Sequence, residues 1–331
     1  MPGNSGMCPY EVWRAAALAL PEMVSAERKP AWLKVPLPGG ERHARLQQRF
    51  RQLGLATVCE EARCPNIGEC WREGTATLML LGEVCTRGCR FCAVQSGRPA
   101  APDPREPEHV GTAVAEMQLG YVVLTMVDRD DLPDGGAEHV ARTVQAIRRH
   151  SEGTLIETLV GDFGGELEPV SALLERGRPD VLAHNVEVVP RLQRSMRDAR
   201  CSFDRSLGLL RHARDAGANV TKSSLMVGCG EREHEVLETM QLLRAAGVDV
   251  LTIGQYLRPT PKHAEVVRYV DPEEFARYEQ AGLAAGFHFV ASGPLVRSSY
   301  RAAEGFLHGI LKGHDAPYDD RYGKRRLEIV S

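Results

Sequence analysis

The sequence predicts an α/β protein built on a partial (β/α)6 barrel of the TIM type, with an extension at each end. Three observations predict this fold. Short apolar runs alternate with stretches of helical periodicity, six such runs follow one another, and three cysteines stand directly after the first run. Strands that alternate with helices form parallel sheets with right-handed crossovers, and catalytic groups collect where the strands end. No G-x-G-x-x-G motif follows the first run, which disfavours a doubly wound dinucleotide-binding sheet.

The predicted strands begin at Ala76, where short runs rich in apolar and β-branched residues start to recur. These runs are TLMLLG (77–82), YVVLTMV (121–127), TLIETLV (154–160), VLAHNVEV (181–188), VTKSSLMVG (220–228) and VDVLTIGQYL (248–257). Helical periodicity occupies 136–150, 231–247 and 270–286. The last of these opens with Asp271 as N-cap and Pro272 at the first position. A further apolar run, FHFVASGPLV (287–296), leads into a polar tail.

The region before the barrel lacks the alternation of strands and helices, because the prolines and paired glycines of ERKPAWLKVPLPGGE interrupt regular structure. One helix is predicted there, over 41–54, and Gly54 is its expected C-cap. We therefore divide the chain into an N-terminal extension over 1–75, a barrel over 76–290 and a C-terminal extension over 291–331.

Composition and charge exclude several classes of function. A hydrophobic content of 43% and a charged content of 26% are typical of a globular protein in water. The net charge of −3 gives no sign of a nucleic-acid partner. No apolar run reaches the roughly 18–20 residues of a membrane span. The N-terminal segment lacks a basic region and carries Glu11 and Pro21, which argues against a secretory or mitochondrial signal. We expect a cytoplasmic protein whose dense cysteines bind metal or catalyse.

Cys85, Cys89 and Cys92 form a C-x3-C-x2-C motif directly after the first predicted strand. Three thiolates at this spacing can ligate three irons of a 4Fe–4S cube and leave the fourth iron open. A zinc site, which normally completes four ligands, and ordinary buried thiols are the alternatives. The spacing, with the aromatic Phe91 before the last cysteine, resembles the signature of the radical S-adenosylmethionine (SAM) enzymes. The resemblance implies that SAM chelates the open iron and that one electron cleaves its sulfonium to a 5′-deoxyadenosyl radical.

A second triplet, Cys59, Cys64 and Cys70, forms C-x4-C-x5-C before the barrel. A structural thiol set is one interpretation, but the adjacent cluster site favours a second cluster. The flanking residues, VCEEARCPNIGECW, resemble those of the lipoyl synthase family. The resemblance covers about 27–303 and includes ERKPAWLK, RDDLPDGGA, VLAHNVEVVPRL, RSLGLL, TKSSLMVGCGE, LTIGQYLRPT, RYVDPEEF and SGPLVRSSY. This chain departs from the family at Gly161, where proline is usual, and at Val188, where threonine is usual.

The resemblance implies that the second triplet holds an auxiliary 4Fe–4S cluster whose fourth ligand is a serine of the RSSY motif, residues 297–300. We assign this ligand to Ser299, with Ser298 as the alternative. A surface turn or helix cap is the other interpretation of RSSY, because serine favours both and oxygen ligands are uncommon beside thiolates. A hard oxygen ligand has a chemical rationale here, since it leaves readily and opens one iron to substrate.

The reaction that the resemblance implies is that of a sulfurtransferase of lipoate biosynthesis. An octanoyl chain is held in amide linkage on a lysine of a carrier protein. Two 5′-deoxyadenosyl radicals, from two SAM molecules, each abstract one hydrogen, at carbons 6 and 8. Each carbon radical attacks a sulfide of the auxiliary cluster, which is consumed, and the products are lipoyl-protein, methionine and 5′-deoxyadenosine. Unactivated C–H bonds offer no acidic proton, so the cofactors and not a catalytic dyad carry this step.

The resemblance also implies partners. The carriers are the glycine cleavage H protein and the acyltransferase subunits of 2-oxoacid dehydrogenases. An electron donor such as flavodoxin or ferredoxin and an iron–sulfur carrier for cluster repair complete the set. We expect neither a nucleic-acid nor a membrane partner. The competing hypotheses are another radical SAM enzyme with an auxiliary cluster, such as a peptide modifier or a biotin-synthase-like sulfur inserter, and a zinc or interaction module.

Further polar residues stand near predicted strand ends. The candidates for the SAM pocket are His184, Asn185, Lys222, Glu231 and Gln255, with Glu187 and Ser223 beside them. A lone histidine at such a position is more often a hydrogen-bonded core residue than a site residue. The acidic turn DRDDLPDGG (128–136) is predicted either at the rim of the site or as a solvated loop. Three remaining cysteines, Cys8, Cys201 and Cys229, are predicted not to be ligands.

Overall fold

The computed structural model describes residues 30–33, 41–57, 64, 66–72 and 75–299. The chain divides into two compact units, Met1–Lys34 and Val35–Ser331. Within the described part of the first unit lies a short 3-10 helix, Ala31–Leu33. The second unit contains the strands and helices that follow.

Two short strands, β3 (Val84–Cys85) and β4 (Gln95–Ser96), pair with each other, and eight further strands form the main sheet in an order that follows the chain. They are β1 (Ala56–Thr57), β2 (Thr75–Leu80), β5 (Tyr121–Met126), β6 (Leu155–Leu159), β7 (Val181–Ala183), β8 (Val220–Val227), β9 (Val250–Gln255) and β10 (Phe289–Gly293). Strand β1 is antiparallel to β2, and every later pair is parallel. The strand order follows the chain without the reversal that marks a doubly wound sheet, so the predicted barrel-type sheet is confirmed.

Six helices cross between successive parallel strands: α3 (Glu106–Glu116), α4 (Ala137–His150), α5 (Glu168–Arg176), α7 (Phe203–Asp215), α8 (Glu233–Ala245) and α9 (Pro272–Ala284). Three shorter or earlier helices are α1 (Glu41–Gln52), α2 (Ile67–Arg72) and α6 (Gln193–Met196). The six predicted strand–helix units are therefore present. The run predicted over 287–296 supplies a seventh parallel strand, β10, because Phe289–Gly293 pairs along β9.

Local capping explains where two predicted helices begin and end. The Asp271 side chain accepts a hydrogen bond from Glu273 N at 2.9 Å, which fixes the start of α9 as predicted. Helix α1 ends at Gln52, and Gly54 follows with φ of +66°. Glycine adopts this left-handed conformation without a steric penalty, so the predicted C-cap is confirmed.

The sheet is buried on both faces, which is why its strands have nearly continuous apolar runs. Val122 and Leu124 of β5 pack with the helices in the largest core cluster. The alternate residues Tyr121 and Val123 face the other way, into an inner cluster formed by strand residues. This alternation places the polar side chains of β6 and β8 inside the curved sheet.

The run predicted over 181–188 is a shorter strand than the sequence indicates. Strand β7 ends at Ala183, and Glu187 has φ of +67°, outside the extended region. A parallel bridge from Glu187 to Leu225 resumes the pairing. Val186 N donates to Ser223 Oγ at 3.3 Å across the interruption. The Ser223 hydroxyl therefore accepts a hydrogen bond that a backbone carbonyl would accept in a regular strand pair. Residues 184–186 leave the sheet at the carboxyl end of β7.

Candidate active site at the carboxyl ends of the strands

The C-x3-C-x2-C loop leaves the carboxyl end of β2. Leu81 and Gly82 reverse the chain with φ of +69° and +91°. The short strand β3 (Val84–Cys85) then pairs with β4 (Gln95–Ser96) and closes the loop at its base. Gly97 N donates to Cys85 O at 2.9 Å at this closure. The loop is thus fixed at its base, beside the end of the first parallel strand, as the sequence predicts.

Each cysteine of this loop has a different environment. The Cys85 sulfur accepts a hydrogen bond from Arg87 N at 3.4 Å, and the Cys89 sulfur accepts one from Asp198 N at 3.3 Å. Burial raises the pKa of the Cys92 thiol to about 11, and burial also raises the pKa of Cys85. These thiols are protonated without metal, so metal uptake releases protons.

The donor set fits an iron–sulfur cluster. Backbone N–H groups that donate to sulfur stabilise the thiolate and tune the metal that it binds. Three soft thiols on one loop are the ligands that such clusters prefer. Within the described residues, no group of three or more His, Cys, Asp or Glu side chains is arranged to hold a single metal ion.

Arg87 connects the cysteine loop to the acidic residues that follow β5 and β6. Its side chain is 2% exposed, and its Nη2 lies 2.6 Å from Asp130 Oδ1 and 2.6 Å from Asp162 Oδ1. Its Nη1 lies 3.6 Å from Asp128 Oδ1. These carboxylates follow β5 and β6, so Arg87 joins three successive strand ends. Hydrogen bonds to Asp130 and Asp162 outweigh burial and raise the pKa of Arg87, which stays charged.

The acidic turn over 128–136 contacts the cysteine loop. Thr86 Oγ1 donates to Asp128 O at 2.9 Å, and Asp128 Oδ2 lies 4.0 Å from the Cys85 sulfur. Arg129 Nη1 donates to Leu81 O at 3.1 Å. Of the two interpretations of this turn, the structure supports a place at the rim. Burial raises the pKa of Asp128 to about 6.

His184 and Asn185 follow the end of β7. The His184 ring is 2% exposed; Nδ1 lies 2.8 Å from Val160 O, and Nε2 lies 2.8 Å from Ser206 Oγ. Burial lowers the pKa of His184 to about 4, so the ring is neutral, with Nδ1 donating to the carbonyl and Nε2 accepting. The Asn185 side chain, by contrast, is half-buried and hydrogen-bonds with Glu187.

The remaining candidates for the SAM pocket have protein partners. Lys222 Nζ lies 2.7 Å from Glu157 Oε2 inside the sheet, and Tyr121 donates to the same oxygen at 2.5 Å. Glu231 accepts hydrogen bonds from Gly228 N at 2.7 Å and from Cys229 N at 2.9 Å.

Gln255 joins two loops at the end of β9. Its Oε1 accepts from Val270 N at 2.8 Å, and its Nε2 donates to Arg268 O at 3.0 Å. These candidates therefore lie at the carboxyl end of the sheet or in its interior, and their polar atoms form hydrogen bonds or ion pairs with other protein groups. They are His184, Lys222, Glu231 and Gln255.

Two residues beside the cysteine loop were not among the candidate site residues: Arg197, which the sequence did not single out, and Cys201, which was predicted not to be a ligand. Arg197 is 8% exposed and donates from Nη1 to Ser206 Oγ at 2.9 Å, while its Nε has no hydrogen-bond partner. The positive charge of Arg197 opposes the rise in the pKa of Glu187, which burial causes. Cys201 accepts a hydrogen bond from Arg87 Nη1 at 3.4 Å. Both residues come from RDARC, whose only sequence signal was its position after the fourth predicted strand.

Cys64 of the N-terminal triplet lies near the segment that follows β10. Cys70 is buried on α2, whereas Cys59 lies outside the described residues. Asn66 Nδ2 donates to Leu295 O at 2.7 Å. Burial raises the pKa of Cys64, and the charge of Arg297 opposes this rise.

The RSSY segment is positioned by a glycine of β9. A Cβ at Gly254 would lie 2.1 Å from Val296 O, so only glycine permits this approach of the segment to the strand. Ser298 and Ser299 are half-buried, and Tyr300 lies outside the described residues. Cys64 and the start of RSSY are therefore neighbours, despite their separation in the sequence.

Two solved structures have a similar fold. The chain superposes on the FeFe-hydrogenase maturase HydG from Carboxydothermus hydrogenoformans with a TM-score of 0.51 and 15% identity, covering 75% of this chain and 57% of that one. It superposes on Streptococcus suis SuiB bound to the precursor peptide SuiA with a TM-score of 0.52 and 10% identity, covering 76% and 52%. A similarity at this level of identity establishes the fold alone.

The family comparisons define the class of protein and then the family. A Radical SAM superfamily model matches residues 79–243, and a model for the N-terminal domain of lipoyl synthase matches 16–64. Together with the cysteine loop at the end of the first parallel strand, these matches define a radical SAM enzyme, with SAM and a 4Fe–4S cluster as its cofactors.

Curated relatives identify the family. Lipoyl synthase of Sorangium cellulosum is 58% identical over 93% of this chain and 87% of that protein. Lipoyl synthase of Thermus thermophilus is 54% identical over 89% and 92%, and the mitochondrial lipoyl synthase of Eremothecium gossypii is 53% identical over 87% and 79%. The chain belongs to the lipoyl synthase family, which are sulfur-inserting radical SAM enzymes with a second, auxiliary 4Fe–4S cluster. Among the described residues, none of the helices has the length and apolar character of a membrane span.

Proposed function

We propose that Cys85, Cys89 and Cys92 ligate the radical SAM cluster of this chain. We assign the auxiliary cluster to the set Cys59, Cys64, Cys70 and Ser299. The observation that carries this proposal is the position of the two cysteine sets at the carboxyl ends of the first and last parallel strands. One set follows β2, and Cys64 of the other lies near the segment after β10. Ser299 is preferred to Ser298 on the family resemblance, and the proximity of Cys64 to Arg297 supports a ligand from this segment.

The chain would act on octanoyl-lysine of a lipoyl carrier protein. When bound, the two clusters and two SAM molecules supply hydrogen abstraction at carbons 6 and 8 and the two sulfur atoms that are inserted there. The protein holds the loop of the first cluster by the Arg87 carboxylate network and holds the segment of the second through Gly254 and Asn66. Its task is to position the groups and to exclude water, because no acidic proton is available at these carbons.

Direct contact with SAM is assigned first to Asn185, whose side chain is half-buried at the end of β7. Four other residues set the position of the pocket walls through their hydrogen bonds. They are His184, Lys222, Glu231 and Gln255. The domain division at 75 and 290 separates the auxiliary-cluster extensions from the barrel. The start of the first parallel strand, Thr75–Leu80, supports the boundary at 75, whereas the last parallel strand, Phe289–Gly293, extends past the boundary at 290.

The partners follow from this reaction. We propose the glycine cleavage H protein and the acyltransferase subunits of 2-oxoacid dehydrogenases as carriers, flavodoxin or ferredoxin as electron donor, and an iron–sulfur carrier that rebuilds the auxiliary cluster. We propose the cytoplasm as the location. The free state of all seven described cysteines supports a reducing compartment.

The experiment that tests the proposal is incubation of the reconstituted chain with an octanoyl-lysine peptide, reductant and SAM, followed by mass spectrometry. The expected result is a product that has gained two sulfurs, with two 5′-deoxyadenosine molecules formed. Ser299→Ala should still form 5′-deoxyadenosine but lose sulfur insertion, and Ser298→Ala is the matched control that retains it. Full sulfur insertion by Ser299→Ala would contradict the ligand assignment, and absence of any sulfur gain in the parent chain would contradict the function.

A further inference from the structure

Cys201 brings a fourth cysteine to the loop of the radical cluster. The thiols of Cys89 and Cys201 are in hydrogen-bond contact with each other. The Cys201 sulfur also accepts a hydrogen bond from Arg87 Nη1 at 3.4 Å, so Arg87 holds it on the side facing the loop. The proposed reaction uses Cys89 as a ligand and gives Cys201 no role.

Backbone hydrogen bonds fix both segments that carry these thiols. Asp198 N donates to the Cys89 sulfur at 3.3 Å, and Cys201 N donates to Asp198 O at 2.9 Å. Gly88 N donates to Asp198 Oδ2 at 2.8 Å. Because these bonds lie within three residues of each sulfur, the two thiols are already held side by side. We therefore expect a bond between them to form by rotation of the two side chains.

The other two cysteines of the loop have different neighbours. The Cys85 sulfur lies 4.0 Å from Asp128 Oδ2. Cys92 is buried close enough to Glu187 for the charge of that carboxylate to raise its pKa. The contact with Cys201 is therefore made by Cys89, the middle member of the triplet.

We propose that Cys89 and Cys201 form a reversible disulfide in the chain before its radical cluster is loaded, with a low-molecular-weight disulfide as oxidant. The Cys201 thiolate attacks one sulfur of the oxidant and releases the first small thiol. The Cys89 thiolate then attacks the mixed disulfide at Cys201 and releases the second. Two protein thiols become one S–S bond, one small disulfide becomes two thiols, and the protein protons pass to these products.

The consequence for metal loading rests on the proposed ligand role of Cys89. A disulfide removes one of three ligands, so the loop cannot take up its cluster until a dithiol reduces the bond. In return, the bond protects Cys89 from oxidation to sulfinic acid, which is irreversible for most proteins. Disulfides of reducing compartments are typically of this transient, redox-sensing kind.

The sequence makes the bond simple to map. Trypsin cleaves after Lys and Arg unless Pro follows, and it therefore places the four cysteines on separate peptides: 73–87 for Cys85, 88–90 for Cys89, 91–105 for Cys92 and 201–205 for Cys201. The iron-free full chain is incubated anaerobically with glutathione disulfide, alkylated without reduction, digested and analysed by mass spectrometry. The expected product is peptide 88–90 joined to peptide 201–205, which dithiothreitol separates.

Two controls make the result specific. Cys201→Ser removes the partner while keeping a residue of similar size, and Cys229→Ser removes a buried cysteine that lies outside the pair. The linked peptide should be lost in the first variant and retained in the second. Linkage of Cys89 to Cys85 or Cys92 in the parent chain, or the absence of a bond at Cys201, overturns the proposal, whatever the enzymatic activity is.

Iron uptake provides a second measurement. After oxidant treatment, the parent chain should incorporate only about half of its iron, since one of its two clusters is blocked, and Cys201→Ser should incorporate more than the parent. Conversely, a chain loaded with iron beforehand should give no linked peptide, because Cys89 is bound. Equal yields of the linked peptide from loaded and iron-free chains overturn the competition between iron and disulfide at Cys89.

Discussion

His184 shows how burial sets the charge of one residue beside the site. Its pKa is lowered to about 4 because burial penalises the imidazolium. In the unfolded chain this residue is protonated near pH 6.5. Its contribution to the free energy of unfolding is therefore fully present above that pH and is lost as the pH decreases toward 4. We predict that the free energy of unfolding of the iron-free chain decreases by about 2 kcal/mol between pH 7 and pH 5 through this group.

The matched variant for this prediction is His184→Gln, which cannot be protonated. Urea unfolding of both chains at pH 7 and pH 5 isolates the contribution, because all other titrating groups are shared. The difference in stability between the two chains should shrink by this amount on acidification. A constant difference would show that His184 is protonated equally in both states.

The ion pair of Lys222 and Glu157 lies inside the sheet, where both side chains are no more than 2% exposed. Lys222→Met leaves the Glu157 carboxylate buried without its cation, and we predict a loss of about 3–5 kcal/mol in the free energy of unfolding. The double variant Glu157→Gln with Lys222→Met should recover most of this loss, since Tyr121 retains a partner. Denaturant unfolding of the three chains measures both effects. A double variant as unstable as the single one would assign Lys222 a role other than charge pairing.

Gly161 illustrates a departure from the family pattern that the sequence alone did not explain. A Cβ at this position would lie 2.3 Å from Asp128 Oδ1. In this chain the Asp128 carboxylate, which borders the cysteine loop, occupies the space that a proline ring would need. A residue with a Cβ at position 161 therefore requires the Asp128 carboxylate to move.

At the scale of elements, the contact between β9 and the RSSY segment determines where the proposed serine ligand lies. A Cβ at Gly254 would overlap Val296 O at 2.1 Å, so we predict that Gly254→Ala displaces the segment and reduces iron at the auxiliary cluster several-fold. Iron at the radical cluster should stay bound, because its loop follows β2. Iron analysis and electron paramagnetic resonance of the reconstituted variant measure the two clusters separately.

Gly208→Ala provides the control for this variant. Gly208 lies within α7, its Cβ position has no heavy atom within 4 Å, and alanine favours a helix by about 1 kcal/mol. It should bind iron at both clusters as the parent does. Full auxiliary iron in Gly254→Ala would mean that the close approach of Val296 is unimportant for the cluster.

Local signals predicted elements well where the sequence alone determines them. The N-cap at Asp271 and the C-cap at Gly54 depend on a few adjacent residues, and both were recognised. The early end of β7 was not recognised, because it depends on a residue of the neighbouring strand. Ser223 Oγ accepts the hydrogen bond that Val186 N donates. The length of a strand depends on its pairing with a neighbouring strand. The periodicity of one segment does not show which residues of the neighbour it will pair with.

Across the whole molecule, the two cysteine sets should load independently. Replacing Cys85, Cys89 and Cys92 together by alanine should remove about half of the iron and abolish 5′-deoxyadenosine formation. Replacing Cys59, Cys64 and Cys70 should remove the other half and keep 5′-deoxyadenosine formation without sulfur insertion. Iron per chain and chromatography of the nucleoside measure both outcomes. Loss of all iron from either triple variant would show that the two sites depend on each other.

The sequence predicted each cysteine set but not the contacts that join distant parts of the chain. The spacing of Cys85, Cys89 and Cys92 is local, so the motif could be recognised directly. The approach of Cys201 to Cys89 and the hydrogen bond from Asn66 to Leu295 depend on how the strands are ordered in space. Composition and periodicity do not specify such pairings, and neither contact was anticipated.

The hydrogen bond between Asn66 and Leu295 spans 229 positions of the chain. During synthesis the amino-terminal residue of this pair leaves the ribosome long before the carboxyl-terminal one is made. Among the hydrogen bonds of the described residues, those of the cysteine loop extend no further along the chain than Ala264, whose N donates to Arg90 O at 2.9 Å. The chain needed for the contacts of the cysteine loop is therefore synthesised earlier than the chain needed for the contact between Asn66 and Leu295.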